Sequence, residues 1–314
     1  MKAIDRALAS ITIGPVASYR GLHIYPLLAQ GDRPSEHSTA EAAAQSGDLD
    51  IVEKAGSGEQ GSIRLTNTSS AAVFLLDGQE LTGAMQDRAL NMSVLAPAGE
   101  TLDIPVSCVE AARWEPAASG FGLAPRIQFA TGRAQRMAQV TVSLLAGEGP
   151  SSDQVDVWAA IDERSTRLSV VSDTRAHAAI YIRLASRLSR FVNALAAVAG
   201  QAGAIYGIGG RIIGMDLFDS GETYRACHAK LIASAAIDAL AEPNPAAVPP
   251  PQLTCAARFI QRVATARTLR FAGVGQGENV RLSGQFLTGG ALIDNNRVVH
   301  MSAFDLLACG YDAV

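Results

Sequence analysis

The feature that most restricts how this chain can fold is a group of charged and polar side chains set inside segments patterned for burial. Between Asp77 and Trp114, Gly78-Gln79-Glu80-Leu81, Gln86-Asp87-Arg88, Val106-Ser107-Cys108-Val109-Glu110 and Arg113-Trp114 bring carboxylates, an amide, guanidinium groups, a thiol and an indole into short apolar stretches. A charge in an apolar run is costly to bury unless it is paired and hydrogen-bonded. Any fold must therefore bring guanidinium and carboxylate together here, and Arg113 or Arg88 is the partner expected for Glu110.

Cys108 and Glu110 lie two apart on an expected strand and project from one face. They could be a nucleophile with an acid or base, two ligand contacts, or a buried thiol beside a structural ion pair. Glu80 and Gln86-Asp87-Arg88 flank Gly83 in a connector between strands, where backbone can approach a ligand closely. Such side chains suit a base edge, a ribose or a phosphate, or they cap the loop. Trp114 could stack on a planar ligand or join the core. His300, on the last expected strand, is the histidine with a candidate site role, whereas His228 beside Cys227 reads as structural.

Around this stretch the pattern predicts strands at Leu22–Leu27, with Pro26 marking an edge or strand end, and at 51–53, 62–66, 72–76, 89–95 and 101–109. Ser38-Thr39-Ala40-Glu41 reads as a capping box opening a short helix closed by Gly47. Residues 133–145 fit a helix or an extended arm. Helices follow at 153–168, from a cap at Ser172-Asp173-Thr174 with Ile180, Leu184, Leu188, Phe191 and Leu195 on one stripe, from Ser220 to about Leu240, and at 254–267. Arg183, Arg187 and Arg190 lie off that stripe, on a solvated face or a partner surface. Ala204–Asp216 reads as a hairpin turning at Gly209-Gly210, Pro243–Pro251 as a stiff linker, and 268–274, 279–287, 291–293 and 297–301 as closing strands. The expectation is an α+β protein: a mainly antiparallel β N-terminal part, a helical middle and a β-rich C-terminal part in one unit. It would be one domain over 1–314, or two lobes, 1–150 and 151–314.

Hydrophobic residues make up 48% of the 314, charged residues 18%, and the net charge is -4, which is globular composition without a basic field for nucleic acid. Cys108, Cys227, Cys255 and Cys309 show no C-x-x-C spacing, which argues against a structural zinc site and fits a reducing cytoplasm. Asp5 and Arg6 interrupt what a signal peptide would need as its apolar run, and 191–208 is too polar for a span. Gly273-Val274-Gly275-Gln276-Gly277 lacks the helix start and Lys-Ser/Thr of a phosphate loop, and no H-E-x-x-H or G-x-S-x-G pattern occurs.

Gly78-Gln79-Glu80-Leu81-Thr82-Gly83-Ala84-Met85-Gln86-Asp87-Arg88, Pro105-Val106-Ser107-Cys108-Val109-Glu110 with Arg113-Trp114, Val157-Trp158, Gly214-Met215-Asp216-Leu217-Phe218 and Val299-His300 together resemble the ARG and rhodanese-phosphatase-superfamily-associated protein domain family of bacteria and archaea. The likeness is nearly full length. That family prefers Glu where Gln79 stands and Asn where Asp87 stands. Its association with ADP-ribosylglycohydrolase-like and phosphatase-like partners implies a link to NAD-derived or ADP-ribosyl metabolites.

The first expectation is a ligand-binding or sensor domain for a phosphate- or ribose-containing small molecule. Arg88 and Arg113 would meet anionic groups, Glu80 and Glu110 ribose hydroxyls, Gln86 a polar edge and Trp114 a ring, with Asp216 a further ligand contact. The alternatives are a hydrolase or transferase using Cys108 or Glu110 with His300 close by, and an interaction scaffold without a small ligand. The sequence leaves the cofactor unknown and marks no metal ligands, and self-association is open.

Overall fold

Runs of Val, Ile, Leu and Thr punctuated by Gly, Asn and Pro favour extended backbone, and they fall towards both ends of the chain. The computed structural model describes residues 2–31, 34–54, 61–115, 117–244 and 247–311. Among these, the N-terminal part holds α1 (Ala3–Ala9), β1 (Ile11–Ile13), β2 (Ala17–Tyr19), β3 (Leu22–Ala29), β4 (Ser38–Thr39), α2 (Ala40–Gln45), β5 (Leu49–Val52) and β6 (Ser62–Asn67). It continues with β7 (Val73–Leu75), β8 (Gln79–Gly83), β9 (Arg88–Leu90), β10 (Val94–Ala96), β11 (Thr101–Cys108) and β12 (Phe121–Ile127). Helices α3 (Ala130–Ala146), α4 (Gln154–Arg167) and α5 (His177–Ala194) form the middle. Then come β13 (Gln201–Ile208), β14 (Arg211–Phe218), α6 (Gly221–Ala241), α7 (Leu253–Ala264), β15 (Arg267–Ala272), β16 (Glu278–Gly284), β17 (Leu287–Asp294) and β18 (Arg297–Asp305). The fold is α+β.

The two ends of the chain share one nine-stranded sheet of order β1-β3-β13-β14-β18-β17-β16-β15, with β2 also on β3. Residues 38–127 build a six-stranded sheet, β12-β8-β9-β11-β6-β5, and a small one, β10-β7-β4. Between the large sheet and β12 lies α6, capped by Ser220, whose Oγ accepts from the Thr223 N–H at 3.0 Å. Its Tyr224, Leu231, Ile232, Ala235, Ala236 and Ile237 are all buried. From Lys230 to Ala239 every residue of α6 is buried, which places this part of the helix in the interior, and α6 ties both sheets to one core. Helices α1 and α7 cover the opposite face of the large sheet, where Ile4, Phe259 and Val263 pack with Leu282 and Met301.

Local expectations are corrected at several points. Strand β3 is not an edge: Pro26 stands in the gap between the β1 and β2 pairings, where its missing N–H removes no ladder bond, and its carbonyl accepts from Gly14 at 2.8 Å. Residues 89–95 are two strands, because Asn91 turns aside to bond Ser107 and the Pro150 carbonyl. The stretch around Gly83 expected as a connector holds strand β8, and 121–127, where no strand was expected, is strand β12, with Pro125 tolerated at a register shift on an edge. Helix α5 starts at His177, with the Ser172 Oγ holding the Ala176 N–H just before it. The Ser220 cap and the Gly209-Gly210 turn (φ 56° and 76°) stand as expected. Helix α2 is capped by Thr39, whose Oγ1 accepts from the Ala42 N–H at 3.3 Å, and not by a Ser38–Glu41 capping box, because Glu41 pairs with Lys230. In the proline-rich run, Pro245 and Ala246 lie outside the described residues, while the buried Pro251 carbonyl accepts the Tyr25 hydroxyl.

Candidate functional site

Two charged clusters form where the six-stranded sheet meets the helices. The first gathers around Glu80 on β8. Antiparallel pairing sets Glu80 opposite Ala89 and Leu81 opposite Arg88, while β12 supplies Arg126 from the other side. The bridge between Glu110 and Ala176, with the His177 N–H on the Val109 carbonyl at 2.8 Å, brings in the first residue of α5. Glu80, fully buried, accepts from Arg126 Nε at 2.8 Å on one oxygen and pairs with His177 Nδ1 at 2.7 Å on the other. Asp87 accepts from the Gly83 N–H and from Arg113, both at 3.1 Å, and lies 3.8 Å from Arg126. Arg113 also holds Glu110 at 2.6 Å and the Ala84 and Glu115 carbonyls at 2.9 Å.

The backbone of this cluster is strained. Gly83 has φ 129°, and a Cβ there would sit 2.3 Å from the Gly120 carbonyl oxygen, while Ala84 takes φ 41°. Residues forced into sparsely populated backbone regions gather at binding and catalytic sites, where surrounding contacts hold them.

Two acids of the cluster, Glu80 and Asp87, are driven apart. Burial would raise Glu80, yet His177 and Arg126 outweigh it and hold the carboxyl below its ordinary range. Burial, with Glu80 and Glu110 adding repulsion, pushes Asp87 up to about 6 against the pull of the Gly83 N–H and Arg113. A carboxylate kept ionised beside one that titrates near neutrality is the electrostatic arrangement of an acid–base pair. The cluster reaches solvent through Arg113 and Arg126, and the adjoining Trp114 is 53% exposed.

Arg88 and Cys108 sit together, opposite one another on β9 and β11. The Arg88 guanidinium, buried, contacts the Cys108 sulfur and donates to Gln86 at 3.1 Å and Glu53 at 3.3 Å. Gln154 clamps the Cys108 backbone through two bonds of 2.8 Å. Burial pushes this thiol above its ordinary value despite Arg88, so the environment is the opposite of one that activates a cysteine.

The second cluster is buried between the sheets. Arg133, on the inner face of α3, grips Asp77 (Nε 3.1 Å, Nη2 2.9 Å) and Asp216 (Nη1 3.1 Å, Nη2 2.7 Å). Gly78 is needed beside it: its φ is 79°, and a Cβ would press to 3.1 Å on the Arg133 side chain. His300 Nε2 meets Asp216 at 3.0 Å and Nδ1 meets Ser93 Oγ at 2.9 Å, and Tyr206 donates to Asp216 at 2.9 Å. Burial opposes both carboxylates, but Arg133 and His300 hold them below the ordinary range. Asp77, Asp216 and His300 present ligand atoms within 4.8 Å of one another. A cation placed there would compete with the Arg133 guanidinium for the same oxygens.

Glu80, Glu110 and Arg113 are therefore brought together, with Trp114 on the adjacent surface, while Gln86, Arg88 and Cys108 form a buried group behind them. His300 and Asp216 belong to the other cluster, and none of their hydrogen-bond partners touches Cys108 or Glu110. Arg126, Arg133 and His177 carry both clusters and were missed by sequence reasoning. Arg133 and Arg136 do stand on the face of α3 that holds Ala130, Ala134 and Met137, a signal available once the segment is read as a helix.

A model of the ARG and Rhodanese-Phosphatase-superfamily-associated Protein domain matches residues 10–304, and the chain belongs to that family. Comparisons with curated proteins and with solved structures gave no match. No helix among the described residues is long and apolar enough to cross a membrane.

Proposed function

We propose that this member of the family is a ligand-binding or sensor domain for a nucleotide-derived small molecule carrying phosphate or ribose, and that the Glu80 cluster is its site. The observation that carries the reading is the partly exposed pair Arg113 and Arg126 on either side of Asp87, whose carboxyl titrates near 6. Guanidinium groups suit phosphate and carboxylate oxygens. Each is also held by a second carboxylate, Arg113 by Glu110 and Arg126 by Glu80, so protonation of Asp87 removes the carboxylate they share and leaves the pair less fully neutralised towards an anion. Trp114 offers a ring face next to them and Glu110 an acceptor for a hydroxyl, whereas both oxygens of the fully buried Glu80 are taken by Arg126 and His177, so it acts by holding Arg126.

The same Asp87 favours a second reading, a hydrolase or transferase in which a protonated carboxyl donates to a leaving group beside the ionised Glu80. Cys108, buried under Arg88 with its thiol pushed up, lends no support to a thiol nucleophile.

Calorimetric titration with ADP-ribose, NAD and ribose 5-phosphate tests the binding reading. Binding should strengthen as pH falls through about 6. Trp114→Ala should weaken it roughly tenfold while leaving the melting temperature unchanged, since this side chain packs on little. Absence of binding by all three at millimolar concentration, or full affinity in Trp114→Ala, would overturn it.

A further inference from the structure

On the far side of the large sheet from the charged clusters lies a cavity of about 340 Å³, formed by the Gly210–Ile212 end of the β13–β14 hairpin, one face of α7 and the chain leaving β18. This volume lies in the range of small-molecule sites. Arg211, Arg258 and Arg262 line it, and Asp305 is the one acid among its lining residues. Asp305 is taken by Arg262, which also donates to the Gln285 and Phe286 carbonyls. Arg211 lies 3.7 Å from Glu242, outside the lining, and Arg258 has no hydrogen bond or ion pair with any described residue.

Helix α7, LTCAARFIQRVA, contains no acid to neutralise its arginines, and Arg258 and Arg262 stand at i, i+4 on one face. Asp305 answers Arg262, so it is Arg258 that keeps a charge without a counter-charge among the described residues, and an anion in the cavity neutralises it. The floor is apolar: Ile212 and Phe259 are buried, the Arg262 guanidinium lies 5.9 Å from the Phe259 ring centroid, and Leu307 is 49% exposed at the rim. Cys255, on the same helix, also lines the cavity.

We propose that this cavity binds a small amphipathic anion, with its phosphate or carboxylate head between Arg211 and Arg258 and a short apolar body on Ile212, Phe259 and Leu307. The combination of two incompletely neutralised guanidinium groups with an apolar floor selects that class over sugars, which lack the charge, and over bare inorganic ions, which leave the floor wet. The site is independent of the Glu80 cluster and stands or falls apart from it.

Cys255 is a built-in reporter, because the other three thiols, Cys108, Cys227 and Cys309, are buried. The rate of Cys255 alkylation by iodoacetamide is measured on the full chain, with octyl phosphate, octanoate, octyl glucoside or inorganic phosphate added. Octyl phosphate or octanoate at about ten times its dissociation constant should slow labelling roughly tenfold, and which of the two acts at lower concentration identifies the head group. Octyl glucoside and inorganic phosphate should protect much less. Arg258→Glu and Arg211→Glu should each raise the protecting concentration roughly tenfold, with protection scored against each variant's own unliganded labelling rate and the melting temperature unchanged. Failure of both anionic amphiphiles to protect at millimolar concentration, equal protection by octyl glucoside, or undiminished protection in both variants would overturn the proposal.

Discussion

Replacing Asp87 by Asn should stabilise this protein at neutral and alkaline pH. Asp87 is held where its carboxyl titrates near 6 rather than near 3.8, because burial and the neighbouring Glu80 and Glu110 outweigh Arg113 and the Gly83 N–H. A displacement of about 2 pH units corresponds to roughly 3 kcal/mol of penalty on the ionised form. The side chain keeps 12% of its accessible surface, and screening at the rim reduces this to about 1.5 kcal/mol. The sign follows from proton binding. Between about pH 4 and 6 the folded state holds the Asp87 proton and the unfolded state has lost it, so this group's contribution to stability falls as pH rises through that window. Above it the penalty is complete. An Asn keeps an oxygen for the Gly83 N–H and Arg113 but carries no charge, so the variant should match the wild type near pH 4 and exceed it by about 1.5 kcal/mol above pH 7. For a chain of this length that is roughly 2 °C in melting temperature. Urea unfolding from about pH 4 to 8 measures the difference directly. A difference that does not vary with pH, or a less stable Asn variant at pH 8, would refute the reasoning about Asp87.

Two further outcomes follow from the same clusters. Glu80→Ala removes the partner of both His177 and Arg126 in a fully buried position and should cost about 3–5 kcal/mol in urea unfolding; a loss below about 1 kcal/mol would show that the pairing is not formed in solution. Iodoacetamide at neutral pH should label Cys255 in the folded protein and leave Cys108 untouched until urea is added, as peptide mass mapping would show. Rapid labelling of Cys108 would mean that its thiol is more open and more acidic than its burial against Arg88 allows.

Much of the chain was legible because the local signals are short-range. The apolar stripe Ile180–Leu195 of α5, the Ser220 cap, the Gly209-Gly210 turn and the C-terminal strands each depend on neighbours a few residues away. Strand β12 was not legible, since Phe121-Gly122-Leu123-Ala124-Pro125-Arg126-Ile127 is poor in β-forming residues and is extended only because it pairs with β8. Arg126 was lost with it. His177 was passed over because a histidine at a helix start carries no local mark of the glutamate that faces it.

The sequence by itself determined that charges between Asp77 and Trp114 must be paired inside the protein, because isolated charges in apolar runs are too costly to bury. It also narrowed the partner of Glu110 to Arg113 or Arg88, and the fold puts Arg113 there. Only the tertiary structure decided the remaining partners: Glu80 finds Arg126 and His177, 46 and 97 residues away, and Asp77 shares Arg133 with Asp216. Which carboxylate stays ionised and which holds its proton depends on burial and on charges brought together by strand register and helix packing, and these long-range quantities leave no local trace in the order of residues.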